Sequence, residues 1–171
     1  MPNYLRNRVF GGTFFFTLVS RDRNNFFANP NIINIFFDII QKIQNRKPFE
    51  LIAYCVLPDH IHLLIKLPED SQDFSQIIRD IKRGTTIKVR KFLKLSDLII
   101  WQDRFWEHTI QDDRDLQRHF DYIHYNPVKH GYAEDYAQWE WSSYYQFYDN
   151  SGDPEGIDPL SFERSGLSFG E

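Results

Sequence analysis

The 171-residue chain predicts an α+β fold: a ferredoxin-like antiparallel sheet, β-α-β-β-α-β, with helices on one face and an additional C-terminal helix that bears a tyrosine. Three observations predict it. Strand-like runs and helical stripes alternate in that order along residues 13–125. The second and third strands are separated only by Leu57-Pro58-Asp59, which reads as the turn of a hairpin. A further helical stripe begins near Asp112 or Asp113, after the fourth strand.

Gly11-Gly12 opens the first strand, Thr13 to Ser20, which contains three consecutive Phe residues. Asn29 is a good N-cap and Pro30 a good first-turn residue for a helix. Its buried stripe is Ile32, Ile35, Phe36, Ile39, Ile40 and Ile43, and Arg46-Lys47-Pro48 ends it. Phe49 to Val56 is the second strand, and His60 to Leu67 returns as the third. Ser71 to about Lys94 is the second helix, with Phe74, Ile77, Ile78 and Ile81 inward and Gly84 as a place to bend. Phe105 to Ile110 is the fourth strand. The third helix runs to about Tyr125, stopped before Asn126-Pro127. Residues 1–148 are expected to form one domain, and 149–171 an acidic, flexible tail.

The single cysteine, Cys55, excludes an internal disulfide framework and a cysteine-rich zinc site, and reads as inert packing in a strand. No apolar run approaches the ~20 residues that cross a bilayer, and the first residues lack a signal core, so a cytoplasmic protein is expected. The net charge of −4 hides an asymmetry: residues 132–171 carry nine acidic and one basic side chain. The remainder is net basic, with Arg79, Lys82, Arg83, Lys88, Arg90, Lys91 and Lys94 concentrated on the second helix. A basic body suits an anionic ligand such as nucleic acid, although a basic helix alone is more often an ordinary solvated face.

Chemistry concentrates in two motifs. In His60-Ile61-His62 the strand period of two puts both imidazoles on one face, with Ile61, Leu63 and Ile65 facing a core. That is a partial metal site needing a further ligand. In Asp121-Tyr122-Ile123-His124-Tyr125-Asn126-Pro127, helical spacing places His119, Tyr122 and Asn126 on one stripe. Leu116, Phe120 and Ile123 form the neighbouring stripe, expected to pack on the sheet. A tyrosine with a pKa near 10 is a weak nucleophile until a cation polarises the phosphate beside it. His60, His62 and Asn126 suit Mg²⁺ or Mn²⁺, and ligand type alone also admits zinc.

Together these motifs, with Gly11-Gly12-Thr13-Phe14-Phe15-Phe16-Thr17 and Arg104-Phe105-Trp106-Glu107-His108, resemble those of the single-tyrosine HUH transposases of the IS200-like group. The match narrows to the REP-associated tyrosine transposases and runs from about Tyr4 to about Tyr144. The resemblance implies a metal-dependent DNA nicking and joining transesterase with Tyr122 as the nucleophile. It would cut single-stranded DNA at imperfect palindromes or hairpins, through a 5′-phosphotyrosine link. No energy source is needed, since transesterification conserves the bond. His60 and His62 match the family's histidine pair directly, whereas related transposases often carry Gln at the position of Asn126. Tyr125 is a rival nucleophile, rotated off the stripe of Asn126. His108, on a strand expected to adjoin His60, and His119 are assigned supporting roles.

Nucleic-acid contacts are expected from Arg6, Arg8, Arg21, Arg23, Lys82, Arg83 and Lys88, with bases stacking on aromatics such as Tyr4 or Trp101. REP-associated relatives imply a monomer; dimers that exchange tyrosine helices are the alternative. Two other functions stand beside the transesterase: a catalytically silent hairpin-binding module, and a hydrolytic metal-dependent nuclease.

Overall fold

The computed structural model describes residues 8–147 together with Phe169 and Gly170. Four strands, β1 (Thr13–Val19), β2 (Glu50–Val56), β3 (His60–Lys66) and β4 (Trp106–Thr109), form one antiparallel sheet in the order β2-β3-β1-β4. Helices α1 (Pro30–Arg46) and α2 (Phe74–Leu93) fill the two crossovers, and α3 (Asp113–Lys129) follows β4. This is the expected β-α-β-β-α-β order with its extra helix. A four-residue helix, α4 (Tyr144–Phe147), comes after α3.

The side-chain alternation of β1 and β3 divides the molecule. Phe14, Phe16 and Leu18 face one way with Ile61, Leu63 and Ile65, and meet the apolar stripes of α1 and α2. Phe15 and Leu64 face the other way with Ala53 and Cys55 of β2, and meet Tyr122 and Ile123 of α3. The sheet is thus covered on both faces.

Local chemistry sets the helix limits. The Asn29 side chain accepts from the Asn31 N–H, Asp73 from Gln76 and Asp112 from Asp115, each an N-cap that satisfies a donor the helix leaves over. Gly84 does not bend α2. A Cβ there would lie 2.9 Å from Ile39 Cγ2, so glycine is what lets α1 and α2 approach. Helix α3 passes the predicted stop and continues through Pro127 to Lys129. The proline withholds the N–H that would bond the Ile123 carbonyl one turn back, yet the helix continues past it and the His130 N–H to Asn126 C=O bond closes the end. Among the described residues no helix is long and apolar enough to cross a membrane.

The expected loose tail, 149–171, lies outside the described residues except for Phe169 and Gly170. Phe169 is packed into the α3 face at 9% exposure.

Candidate active site

His60 and His62 open β3 and project to the α3 face, both buried, with ring centroids 4.9 Å apart. The hairpin turn places Asp59 beside them. Its Oδ1 lies 2.6 Å from His60 Nδ1 and its Oδ2 takes a bond from Arg23 Nη1 at 3.0 Å. Burial pushes the Asp59 carboxyl up, but the hydrogen bonds and charges of His60 and Arg23 outweigh it and hold the pKa below the usual carboxylate value. An ionised carboxylate accepts, so Nδ1–H of His60 donates and Nε2 carries the lone pair.

A second proton is fixed from β1. Thr17 Oγ1 donates to the Phe169 carbonyl, and a hydroxyl has one hydrogen. Its 2.9 Å contact with His62 Nδ1 is therefore one in which the imidazole donates, leaving the lone pair on His62 Nε2. Both histidines are thus held through Nδ1 with Nε2 in the ligand form, which is how metal-binding imidazoles are usually oriented.

Because α3 stays helical through Pro127, Asn126 sits one turn beyond Tyr122. Its Oδ1 lies 3.4 Å from His60 Nε2. Two acceptors facing one another are satisfied by a cation between them, so the donor set fits the divalent ion expected from sequence. Tyr122, 1% exposed, has its ring 5.3 Å from that of His62. Its hydroxyl accepts from Lys129 Nζ at 3.0 Å. The Phe169 ring lies flat against it, centroids 3.8 Å apart and 10° between planes. Tyr125 belongs to the margin of the α3 core and is only partly buried. Of the two predicted α3 stripes, the one with His119, Tyr122 and Asn126 is fully buried, while Leu116 and Phe120 are partly buried at its edge.

His108 is not beside His60. Its strand, β4, pairs with β1, and His108 stands opposite Phe15 with all of β1 between it and β3. Instead His108 Nε2 lies 2.7 Å from Asp115 Oδ2, and its ring stacks on His119 at 4.5 Å and 13°. His119 Nδ1 lies 2.9 Å from the Asp115 carbonyl and 3.1 Å from Asp115 Oδ1. His108, Asp115 and His119 have ligand atoms within 4.8 Å of one another, yet the Asp115 carboxylate is already occupied by His108, His119 and the Gln111 N–H. Burial of His119 lowers its pKa, although its bonds to Asp115 oppose this, so the ring is neutral near pH 7.

The predicted nucleic-acid residues divide. Arg8 and Arg83 join Arg79, Arg90 and Lys82 along a groove of about 740 Å³ on α2. The Lys82 ammonium is spent on the Gln102 carbonyl at 2.7 Å, and Lys88 lines a neighbouring cleft. Arg23 sits by the hairpin turn, where it binds Asp59, while the Arg21 guanidinium lies 3.9 Å from Asp103; Arg6 and Tyr4 lie outside the described residues. Trp101, expected as an exposed stacking surface, is 5% exposed: its Nε1–H donates to the Lys82 carbonyl and its ring packs on Phe27.

Sequence reading missed Thr17, Asp59, Lys129 and Phe169. Lys129 had a signal, since seven residues on a helix are two turns and bring it back over Tyr122. Thr17 and Phe169 had none. His130 was also passed over; its ring lies 5.0 Å from that of His60.

Comparison with known proteins adds three results. The pattern of the IS200-like transposase family matches residues 8–126. Two curated relatives carry the name REP-associated tyrosine transposase. One, from Haemophilus influenzae, is 42% identical over 154 residues, covering 85% of this chain and 87% of its own. The other, from Escherichia coli K12, is 38% identical over 146 residues, covering 85% and 84%. A solved REP-associated tyrosine transposase bound to a REP hairpin superposes with a TM-score of 0.80 at 34% identity, covering 100% of this chain and 98% of that one. A Deinococcus radiodurans crystal structure at 14% identity and TM-score 0.51 shares the fold.

Proposed function

The chain belongs to the REP-associated tyrosine transposases of the IS200-like family, enzymes that cleave and join DNA, and on that premise we propose that it nicks and rejoins single-stranded hairpin DNA with Tyr122 as nucleophile. His60, His62 and Asn126 are the residues that would hold Mg²⁺ or Mn²⁺. The observation that supports this most is the convergence of one helix on the histidine pair. The α3 turn that carries Tyr122 to within 5.3 Å of the His62 ring also brings Asn126 Oδ1 against His60 Nε2.

The chain's own residues account for most of the chemistry. Lys129 donates to the Tyr122 oxygen, so a positive charge stands where negative charge develops as the phenol loses its proton. The phenol oxygen then forms a bond to phosphorus while the bond from phosphorus to the 3′-oxygen breaks. The departing oxygen takes a proton to become a 3′-hydroxyl, leaving a 5′-phosphotyrosine link. Running the exchange backwards from a 3′-hydroxyl rejoins strands, without an energy source. When bound, the divalent cation supplies Lewis-acid polarisation of the phosphodiester. Asp59 and Thr17 keep the two imidazoles in ligand form and orientation throughout. The groove of Arg8, Arg79, Arg83 and Arg90 suits the phosphate backbone of the hairpin, which makes affinity fall with salt.

The setting proposed is the cytoplasm, and the acting form a monomer; light scattering that returned twice the chain mass would count against the latter. The deciding experiment is a denaturing gel of the protein with labelled single-stranded hairpin DNA, drawn from palindromes beside its own gene, and Mg²⁺ or Mn²⁺. A covalent band that needs metal and vanishes in Tyr122→Phe is expected. Phenylalanine keeps the ring packing and removes only the oxygen. Binding without an adduct would favour a silent binding module. Cleavage that survives Tyr122→Phe would mean a nuclease that uses water.

A further inference from the structure

Phe169 covers one face of the Tyr122 ring. With Tyr122 as nucleophile, a nucleotide whose phosphate meets the Tyr122 oxygen has its base one sugar away, within reach of that face. The Phe169 ring already lies there, 3.8 Å from the Tyr122 ring at 10°. Phenylalanine pairs favour offset or edge-on contacts, whereas a flat stack at this spacing is how unpaired bases lie on aromatic side chains. Among the described residues, Phe15, edge-on at 6.0 Å, and His119, at 5.2 Å, also border the Phe169 ring.

His119, whose ring stands 5.2 Å from that of Phe169, brings beside this space a polar demand that Phe169 does not meet. Its Nδ1 faces two acceptors of Asp115, the backbone carbonyl and Oδ1, and so must be the protonated nitrogen. Nε2 is therefore an acceptor, and it is fully buried with no hydrogen-bond partner. Buried polar atoms left unsatisfied are uncommon and usually mark a function or a missing partner. A hydrocarbon ring leaves the demand open. A pyrimidine has the same six-membered outline and carries an N–H on its pairing edge, N3–H in thymine or the N4 amine in cytosine.

Resting on the reading of Tyr122 as nucleophile, we propose that the space filled by Phe169 is a pocket for one unpaired pyrimidine of the DNA, next to the attacked phosphate, stacked on Tyr122 and donating an N–H to His119 Nε2. His119 is then a specificity residue, and Asp115 with His108 fixes its tautomer. Thr17, which holds the Phe169 carbonyl, becomes a donor for the backbone of the same nucleotide once Phe169 withdraws.

The test is equilibrium binding, by fluorescence anisotropy, of the full chain to the hairpin oligonucleotide in metal-free buffer, with an abasic site moved through the single-stranded flank. One pyrimidine position is expected to lose tenfold or more in affinity. Replacing that base with a difluorotoluene shape mimic, which keeps the ring and lacks the N–H, should lose about fivefold. In His119→Leu the mimic and the natural base should bind within twofold of each other, and His119→Gln should restore part of the difference. A flat abasic scan overturns the pocket, as does a sensitive purine, or a mimic that binds like the natural base. The mimic experiment needs no protein variant, so misfolding of His119→Leu leaves the test standing. The covalent gel separates the two readings. An adduct with a flat scan keeps the transesterase and removes the pocket, a base-specific step without adduct does the reverse, and failure to bind any oligonucleotide overturns both.

Discussion

The two faces of the sheet are built from alternate residues of the same strands and serve different ends. Toward α1 and α2, Phe14, Phe16, Leu18, Ile61, Leu63 and Ile65 make a core without a polar side chain from either strand. Toward α3 the same strands contribute Thr17, His60 and His62, and α3 adds His119, Tyr122, His124 and Asn126, all buried. Burying polar groups is costly unless each finds a partner, and apart from His119 Nε2 the α3 face answers with paired donors and acceptors drawn from distant parts of the chain. One face supplies stability, and its rigidity lets the other carry polar groups in fixed positions.

Substitutions can separate the two. Phe16→Ala, on the dry face, should cost about 3–5 kcal/mol of stability, read as a lower denaturant midpoint. Adduct formation per folded molecule should be unchanged; a parallel loss would show that the faces are not independent. The α3 face should respond to acid where the other does not. His124, bonded to Ser143 Oγ at 2.8 Å, has its pKa lowered by burial to about 4, against a smaller opposing effect of a backbone hydrogen bond. A depressed histidine contributes its stability above pH 6.5 and loses it as pH falls toward 4. With each unit worth about 1.4 kcal/mol, the loss is on the order of 3 kcal/mol. Thermal melts across that range should show the decline, and His124→Phe should flatten most of it.

Smaller effects probe the site's supports. Asp59→Ala should weaken metal binding or cleavage about 10–100-fold while moving the melting temperature little, since Asp59 acts through the orientation of His60. A titration by calorimetry would find this. Lys129→Met should slow adduct formation about tenfold, with hairpin affinity unchanged at high salt; an unchanged rate would leave Lys129 a mere surface contact.

Much of this arrangement was legible in the chain. Every strand and long helix lies within three residues of its predicted limits, except the end of α3, because hydrophobic period and capping residues are local signals. Pro127 misled because the burial of Tyr122, Ile123 and Asn126 against the sheet outweighs the hydrogen bond and the crowding that a proline costs a helix, so tertiary packing carries α3 past it. His60, His62, Tyr122 and Asn126 converge as their two motifs suggested. Thr17 with His62, and Phe169 with Thr17, pair residues 45 and 152 positions apart, which no periodicity reports. The placement of His108 depended on which neighbour β4 chose, a question of topology, and the burial of Trp101 depended on Phe27 and Phe36 closing over it.

After α3 the chain does not wander off. Val56 N–H bonds the Trp141 carbonyl, Ser143 N–H the Tyr54 carbonyl, and Trp139 Nε1–H the Val56 carbonyl, so residues 139–143 are stitched along β2. The helix that carries Tyr122 is therefore anchored at both ends, by β4 before it and by this seam after it. Lending that helix to a neighbouring molecule would require peeling the seam from the sheet edge first. Exchange would then be a slow event, with a barrier close to that of partial unfolding, and the acting monomer proposed above would keep its own Tyr122 on the timescale of a reaction.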